Sequence, residues 1–423
     1  MEQHTAETKN PLLNEVLADD STEGHEKRLA RYSAAKTRQQ EVVDHIIQQI
    51  EKSQKLDKIT GEMIYNPHPY DKIKKQLQDC GSFLVFRHYY QLEKYRLLAG
   101  CTCKKHLLCA LCAIRRAAKC VAVFSEKMSE VTKNEQFDTF LITFTVKNKP
   151  TLSEPYEHLQ GAFQKLLQKR KNALLKKPKT DTVFKFVAGA IYSYEVTYSE
   201  TGFHPHIHMI ALVPKNQFKI DEKIIKGKSV KLAPDLWAGL VKDWSEITGD
   251  SKIIDVRLID NEEDKMAALV ETFKYALKMS EMDVAVQFEC YQFLSSRRMI
   301  GSMGALFGVK MPENLNDDLL PGEEKYIDLI YQYSGSNFGY QLLSHGETSI
   351  QVSNLSQRFS GRKRKQDSLR VTRPTKENLL LNIHQKSQAA IKIASKRLSR
   401  EHDTWQKKHP IFDTRPVDEV EWI

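Results

Sequence analysis

The stretch His204-Pro205-His206-Ile207-His208-Met209-Ile210-Ala211-Leu212-Val213 decides how this chain is read. Its run of apolar residues, bounded by turn residues, reads as a strand. Side chains alternate across a strand. His204, His206 and His208 therefore share one face, while Ile207, Met209 and Ala211 pack on the other. Imidazoles two residues apart stand roughly 6.5–7 Å apart at Cα and can converge on one divalent cation. Neutral imidazole suits Zn, Cu, Fe and Ni, so the motif alone does not select the metal. Three packed or solvated histidines are the plainer reading, but that reading fits a lone histidine better than three at period two.

Upstream, FKFVAGAIYSYEVTY from Phe184 to Tyr198 reads as a second strand, and SETGF as the turn between the two. A turn centred on Ser199 to Gly202 sets Tyr198 opposite Phe203 and Glu195 opposite His206. Directly opposed residues of an antiparallel pair share a face, so Glu195 is a candidate third ligand. A one-residue slip would remove it. FDTFLITFTVKN, residues 137–148, alternates Phe140, Ile142, Phe144 and Val146 and reads as another strand. Residues 154–176 read as an amphipathic helix, 215–250 as mixed and partly helical, 255–259 as a short strand and 262–279 as a helix. The hairpin demands antiparallel pairing. The expected class is α+β, a central antiparallel sheet with helices packed on it.

The helix expected over 262–279 carries Glu271, Lys274, Tyr275 and Lys278. Glu271 and Tyr275 are four apart and share a helical face; Lys274 and Lys278 form a second such pair. A tyrosine hydroxyl beside a Lewis-acidic metal and basic groups can attack phosphate. A nearby carboxylate can activate water for a hydrolytic step. Without the histidine strand upstream, Tyr275 would read as an ordinary core residue, and the two lysines as solvated charges.

Seven cysteines occur, four of them at Cys101-x-Cys103-x5-Cys109-x2-Cys112. An odd number in a long chain without a signal segment does not suggest a disulfide framework. Four thiolates at this density suit a tetrahedral zinc ion. Three cysteines with His106 form the alternative set.

The 423 residues are 41% hydrophobic and 28% charged, which excludes a collagen-like or wholly disordered chain. No apolar run approaches the ~18 residues of a membrane span. The start lacks a basic segment followed by an apolar one. A cytoplasmic protein with no membrane partner is the expectation. Of the net charge of +10, residues 351–423 carry +8, from 16 basic and 8 acidic side chains. Such an arm suits a polyanion, with a solubilising tail as the plainer reading. The expected organisation is a polar, partly helical region over 1–60, the cysteine cluster and a helix over 61–130, and the histidine-bearing domain over 131–310. A connecting region over 311–350 and the basic tail over 351–423 complete it.

HPHIHMIALV followed by ETFKYALK resembles the HUH endonucleases, and more closely the single-tyrosine initiators of plasmids that replicate by rolling circle. FLITFTVKN at 140–148, CALCAIRR at 109–116, EVTY at 195–198 and SSRRMIGSMGALFG at 295–308 look like further blocks of that family. The resemblance covers roughly residues 100–310. It implies a metal site at His206 and His208, holding Mg or Mn, with His204 beside it, and Tyr275 as the nucleophile that cuts DNA. It implies a 5′-phosphotyrosyl link and a 3′-OH primer, with Glu271 serving the terminating hydrolysis. Lys274 and Lys278 would hold flanking phosphates. The implied partners are single-stranded or hairpin origin DNA, a host helicase and other replication proteins. A rolling-circle transposase shares these motifs, and a zinc-containing DNA-binding regulator is the non-enzymatic alternative. A mobilisation relaxase generally has its tyrosine before the histidines, the reverse of the order here.

Deleting residues 351–423 should weaken DNA binding and reduce its salt dependence, since counterion release scales with the phosphates contacted. Nicking of a short single strand should survive; its loss from a folded, truncated chain would contradict this division of labour.

Overall fold

In this computed structural model the described residues are 20–346, except 54, 57–62, 65–67, 135, 226–227, 311–312, 322–324 and 338. The chain divides into two units, Met1–Arg362 and Lys363–Ile423. All described residues belong to the first. The basic tail expected over 351–423, and the start of the chain, lie outside them.

Helix α1 (Thr22–Ser53) is followed by the short pair β1 (Lys55–Leu56) and β2 (Met63–Ile64), helix α2 (Asp71–Asp79), and strands β3 (Phe83–Tyr89) and β4 (Lys94–Gly100). Helix α3 (Ala110–Thr132) leads into β5 (Phe137–Thr145), α4 (Ser153–Leu174), β6 (Gly189–Ser199) and β7 (Gly202–Pro214). Then come the hairpin of β8 (Asp221–Ile225) and β9 (Lys228–Leu232), helix α5 (Pro234–Thr248), β10 (Ile254–Ile259), and helices α6 (Glu262–Phe273), α7 (Tyr275–Met279) and α8 (Val284–Leu294). Strands β11 (Ile300–Gly304), β12 (Ile327–Ser334) and β13 (Gly339–Gly346) complete the order. The α+β expectation holds: two larger antiparallel sheets carry the helices.

The first sheet runs β10-β5-β7-β6-β11. Its centre is the histidine strand β7, which pairs with β6 in the expected register, Tyr198 opposite Phe203 and Glu195 opposite His206. Gly202 closes the two-residue hairpin at φ +99°, and a Cβ there would meet the Lys149 carbonyl oxygen at 2.2 Å. Only glycine fits such a position without strain. The face carrying Phe144 packs against Phe163 of α4 and Trp244 of α5, with ring centroids 5.9 and 5.0 Å away. The opposite face carries the histidines and is covered by α6 and α7, with α3 behind them; Phe124 of α3 stacks on Phe273 of α6. The strand expected from Phe184 begins only at Gly189. Val183–Phe186 form a 3-10 turn, capped by the Thr182 hydroxyl accepting from the Phe184 N–H at 3.0 Å.

A second sheet, β13-β12-β3-β4, joins a segment near the start to one near the end. Residues 311–350, expected as a connecting region, supply two of its four strands. Bulges opposite Val85/Phe86 and Ile330/Tyr331 insert Leu98 into β4 and Leu343 into β13, which dilutes the period-two signal of those two strands.

A buried ionic knot ties this sheet to α1 and α3. Asp317 accepts from Arg28 at 2.7 Å, Arg115 at 2.5 Å and the Leu97 N–H at 2.7 Å. Burial alone would raise the Asp317 carboxyl, but the Arg115 and Arg28 charges hold it well below the usual carboxylate range. Removing one member strands the others in a dry environment. Asp317→Ala should therefore cost about 3–5 kcal/mol by denaturant unfolding. Because the folded pKa is depressed, this stabilisation is present above about pH 3.9, the unfolded value, and is lost as pH falls through the folded value.

Candidate functional site

Two clusters of metal-binding side chains lie among the described residues: Glu195, His206 and His208, and Cys80, Cys103, Cys109 and Cys112.

The first is built by the hairpin. His206 and His208 project from β7 with Nε2 atoms 3.1 Å apart. Glu195 on β6 places Oε1 3.2 Å from His206 Nε2 and Oε2 3.8 Å from His208 Nε2. Each ring is oriented by its other nitrogen: His208 Nδ1 meets the Thr143 hydroxyl at 3.2 Å, and His206 Nδ1 the His204 carbonyl at 3.3 Å. Assigned as Nδ1–H tautomers, both rings turn the Nε2 lone pair into the cluster, the usual arrangement behind a metal-ligating histidine. Burial opposes ionisation of Glu195, but His206, His208 and Lys274 hold its carboxyl below the ordinary value. Burial lowers the His208 imidazole, favouring the neutral ring a metal needs.

The donors fit a divalent cation. Two neutral imidazoles and a carboxylate are a mixed set suited to Mg, Mn or Zn. Glu195 Oε2 is buried without a hydrogen-bond partner, an otherwise costly condition.

Glu271 joins this cluster from α6, its Oε1 3.6 Å from His208 Nε2. Lys274 Nζ donates to the other Glu271 oxygen. Lys278 stands apart, 3.8 Å from Glu281. His204 is half-buried and outside the triad, with Nδ1 2.5 Å from the Asn148 side-chain oxygen.

Tyr275 goes elsewhere. The helix expected over 262–279 is interrupted at Lys274. The carbonyl of Thr272, which in a continuous helix would accept from the Ala276 N–H, accepts from the Ser193 hydroxyl instead. The last bond of the α6 ladder is Lys274 N–H to Val270 O at 3.0 Å, and a new turn starts with Leu277 N–H to Lys274 O at 2.8 Å. Glu271 is left facing the histidines, while Tyr275 is 2% exposed with its ring 6.1 Å from that of His106. Its hydroxyl is buried, with the Arg116 guanidinium as its polar neighbour. Burial pushes the phenol up to about 12, against the pull of the Arg116 guanidinium.

The cysteine cluster corrects one expected ligand. Cys80, not Cys101, completes the set with Cys103, Cys109 and Cys112. Cys80 caps the end of α2, donating its N–H to Gln76 O and Leu77 O. Cys101 continues the pleat of β4 and packs with Phe83, Val85 and Ala99. Cys80 was missed because it lies 23 residues before Cys103, outside any short-spacing pattern. His106, the alternative ligand, is over Tyr275. Sulfur pairs Cys80–Cys109, Cys80–Cys112 and Cys103–Cys112 are each 3.6 Å apart. A tetrahedral zinc ion with Zn–S of about 2.3 Å needs sulfurs about 3.8 Å apart, so the cluster fits zinc. N–H groups of Cys103 and Cys112 point at the sulfurs of Cys80 and Cys109, at 3.3 and 3.5 Å. Neighbouring S–H groups favour thiolate at Cys103 and hold Cys80 and Cys109 protonated; a cation is what lets all four ionise together.

A sheet-mounted histidine–carboxylate centre beside a cysteine knuckle, in an α+β domain, thus defines the chain. A family described as "Replication protein" matches residues 94–337. That span is more than half of the chain, which belongs to this family. A Staphylococcus aureus protein named "Protein rep" is 26% identical over 209 residues, covering 48% of this chain and 82% of that protein. A Bacillus protein of the same name is 29% identical over 281 residues, covering 59% and 83%. No solved structure matches the chain. The resemblance to rolling-circle replication initiators read from the motifs is borne out at the level of this family.

Zinc content separates the two cysteines. Cys80→Ser should lose about one zinc per chain by elemental analysis, and Cys101→Ser should keep it. The reverse result would restore the ligand set expected from spacing.

Proposed function

We propose that this protein initiates rolling-circle replication of a plasmid by cutting one strand of origin DNA through Tyr275. The observation that carries the reading is the convergence of Glu195, His206 and His208 with Glu271, on the helix that leads into Tyr275, in a chain of the replication-protein family.

Glu195, His206 and His208 would hold a divalent cation, which supplies Lewis acidity toward a phosphoryl oxygen. The chain supplies the rest. In the cut, the Tyr275 O–H bond and the P–O3′ bond break, while the Tyr275 O–P and O3′–H bonds form. One phosphoester replaces another, so the link retains the energy for later rejoining. The freed 3′-OH serves as primer. At termination Glu271 accepts the proton of the attacking water or hydroxyl, its carboxylate steered by Lys274. Cysteine ligation of zinc at the knuckle would be structural, fixing the start of α3. Reaching the triad requires the Tyr275 side chain to leave its burial, and the interrupted ladder at Lys274 is where the backbone has least to break.

Incubation with single-stranded origin fragments and Mg or Mn should trap the chain covalently on DNA. Tyr275→Phe should form no adduct, and an adduct that persisted would overturn the assignment. Glu271→Ala should keep adduct formation while hydrolytic turnover falls about 10²–10⁴-fold, the usual contribution of a positioned acid–base group. Unchanged turnover would remove Glu271 from the mechanism.

A further inference from the structure

Tyr275 lines a cavity of about 200 Å³ together with His106, Arg116, Arg297, Arg298 and Ser302. A water takes about 30 Å³ of liquid, so there is room for a phosphoryl group. No carboxylate lines this space. Arg297 is paired with Glu157 at 2.8 Å, and Arg298 gives its Nε–H to the Ile300 carbonyl at 2.7 Å. Neither Arg116 nor Arg298 has a carboxylate partner among the described residues. The Arg116 guanidinium faces the Tyr275 hydroxyl, and its Nε is buried without a hydrogen-bond partner. Burial and the Arg116 charge push His106 down to about 4.

Arg116, half-buried and without a carboxylate partner among the described residues, carries a desolvation cost that a bound anion would relieve, while Arg298 is exposed and free to turn toward it. Their planar donors match phosphate oxygens. Tyr275, whose hydroxyl a phosphate would esterify, lines the cavity, whereas Glu271 is at the histidine cluster. The interruption at Lys274 keeps the two apart.

We propose that this cavity is a seat for the phosphodiester carried by Tyr275. Arg116 and Arg298 hold the ester, away from Glu271, while the 3′ end is extended. Arg116 owes its place to the knuckle: it lies one helical turn after Cys112. The inference rests on the nicking role proposed for Tyr275, and it adds a site that protects the ester from early hydrolysis.

Two measurements on the full-length chain test it. In a His206→Ala/His208→Ala background, which removes the other anion-attracting centre, inorganic phosphate should bind by calorimetric titration. Arg116→Ala and Arg298→Ala should each weaken it at least about tenfold, with Arg116→Lys losing less than Arg116→Ala because the charge is kept while the planar donor fork is lost. With the histidines intact, the lifetime of the covalent adduct should shorten at least about tenfold in the two alanine variants and recover in part in Arg116→Lys. Phosphate affinity and adduct lifetime unchanged by both alanine substitutions would overturn the seat. If the unsubstituted chain forms no adduct at all, the nicking reading fails; the phosphate titration still decides whether the cavity binds the anion.

Discussion

The pairing of β6 with β7 is the constraint on which the site depends. A hairpin closed by two residues, with Gly202 forced against the Lys149 carbonyl, leaves one register. That register sets Glu195 beside His206. A slip by one residue would turn the carboxylate into the aromatic layer around Phe144 and Phe163 and leave two buried imidazoles without an anion. The neighbouring strand contributes too: β5 offers the Thr143 hydroxyl that holds His208 by its Nδ1. Three strands of one sheet therefore fix the donor atoms more tightly than loops would.

One side-chain hydrogen bond organises the other half of the chemistry. Ser193 is on β6, two residues before Glu195 on the same face, and its hydroxyl takes the Thr272 carbonyl from the helix above. Helix α6 ends there, with Glu271 over His208 and Tyr275 turned toward Arg116 and His106. The strand that supplies Glu195 to the histidine cluster thus also decides where the helix stops. The result is two polar centres of different character, one built for a cation and one lined by cations. Charge separates their characters: carboxylate and imidazoles suit a cation, and guanidinium groups suit an anion.

The cysteine knuckle and the Asp317 knot hold these centres from behind. Cys109 caps the start of α3, and Cys80 brings in the end of α2. Arg115 and Arg116 follow on the same helix with opposite fates. Arg115 is buried against Asp317, and Arg116 borders the Tyr275 cavity. Two adjacent arginines on a helix point about 100° apart, which is enough to give one a structural task and the other an open one.

Much of the histidine centre was legible in the sequence because its determinants are local. Period-two alternation, a turn of fixed length and the opposition of Glu195 to His206 follow from strand geometry within some fifteen residues. The α+β class followed from the same hairpin. What remained hidden depends on contacts between distant segments. Cys80 replaces Cys101 because the pleat of β4 turns Cys101 toward Phe83 while α2 delivers Cys80. The second sheet pairs β12 with β3, strands more than 200 residues apart. The break at Lys274 has no proline or glycine to announce it; it comes from a serine on another element competing for one carbonyl. Local sequence thus determined that, among the candidate groups, Glu195, His206 and His208 could share one site. Only the tertiary structure decided which face each occupies, because that is settled by hydrogen bonds and packing between elements far apart in the chain.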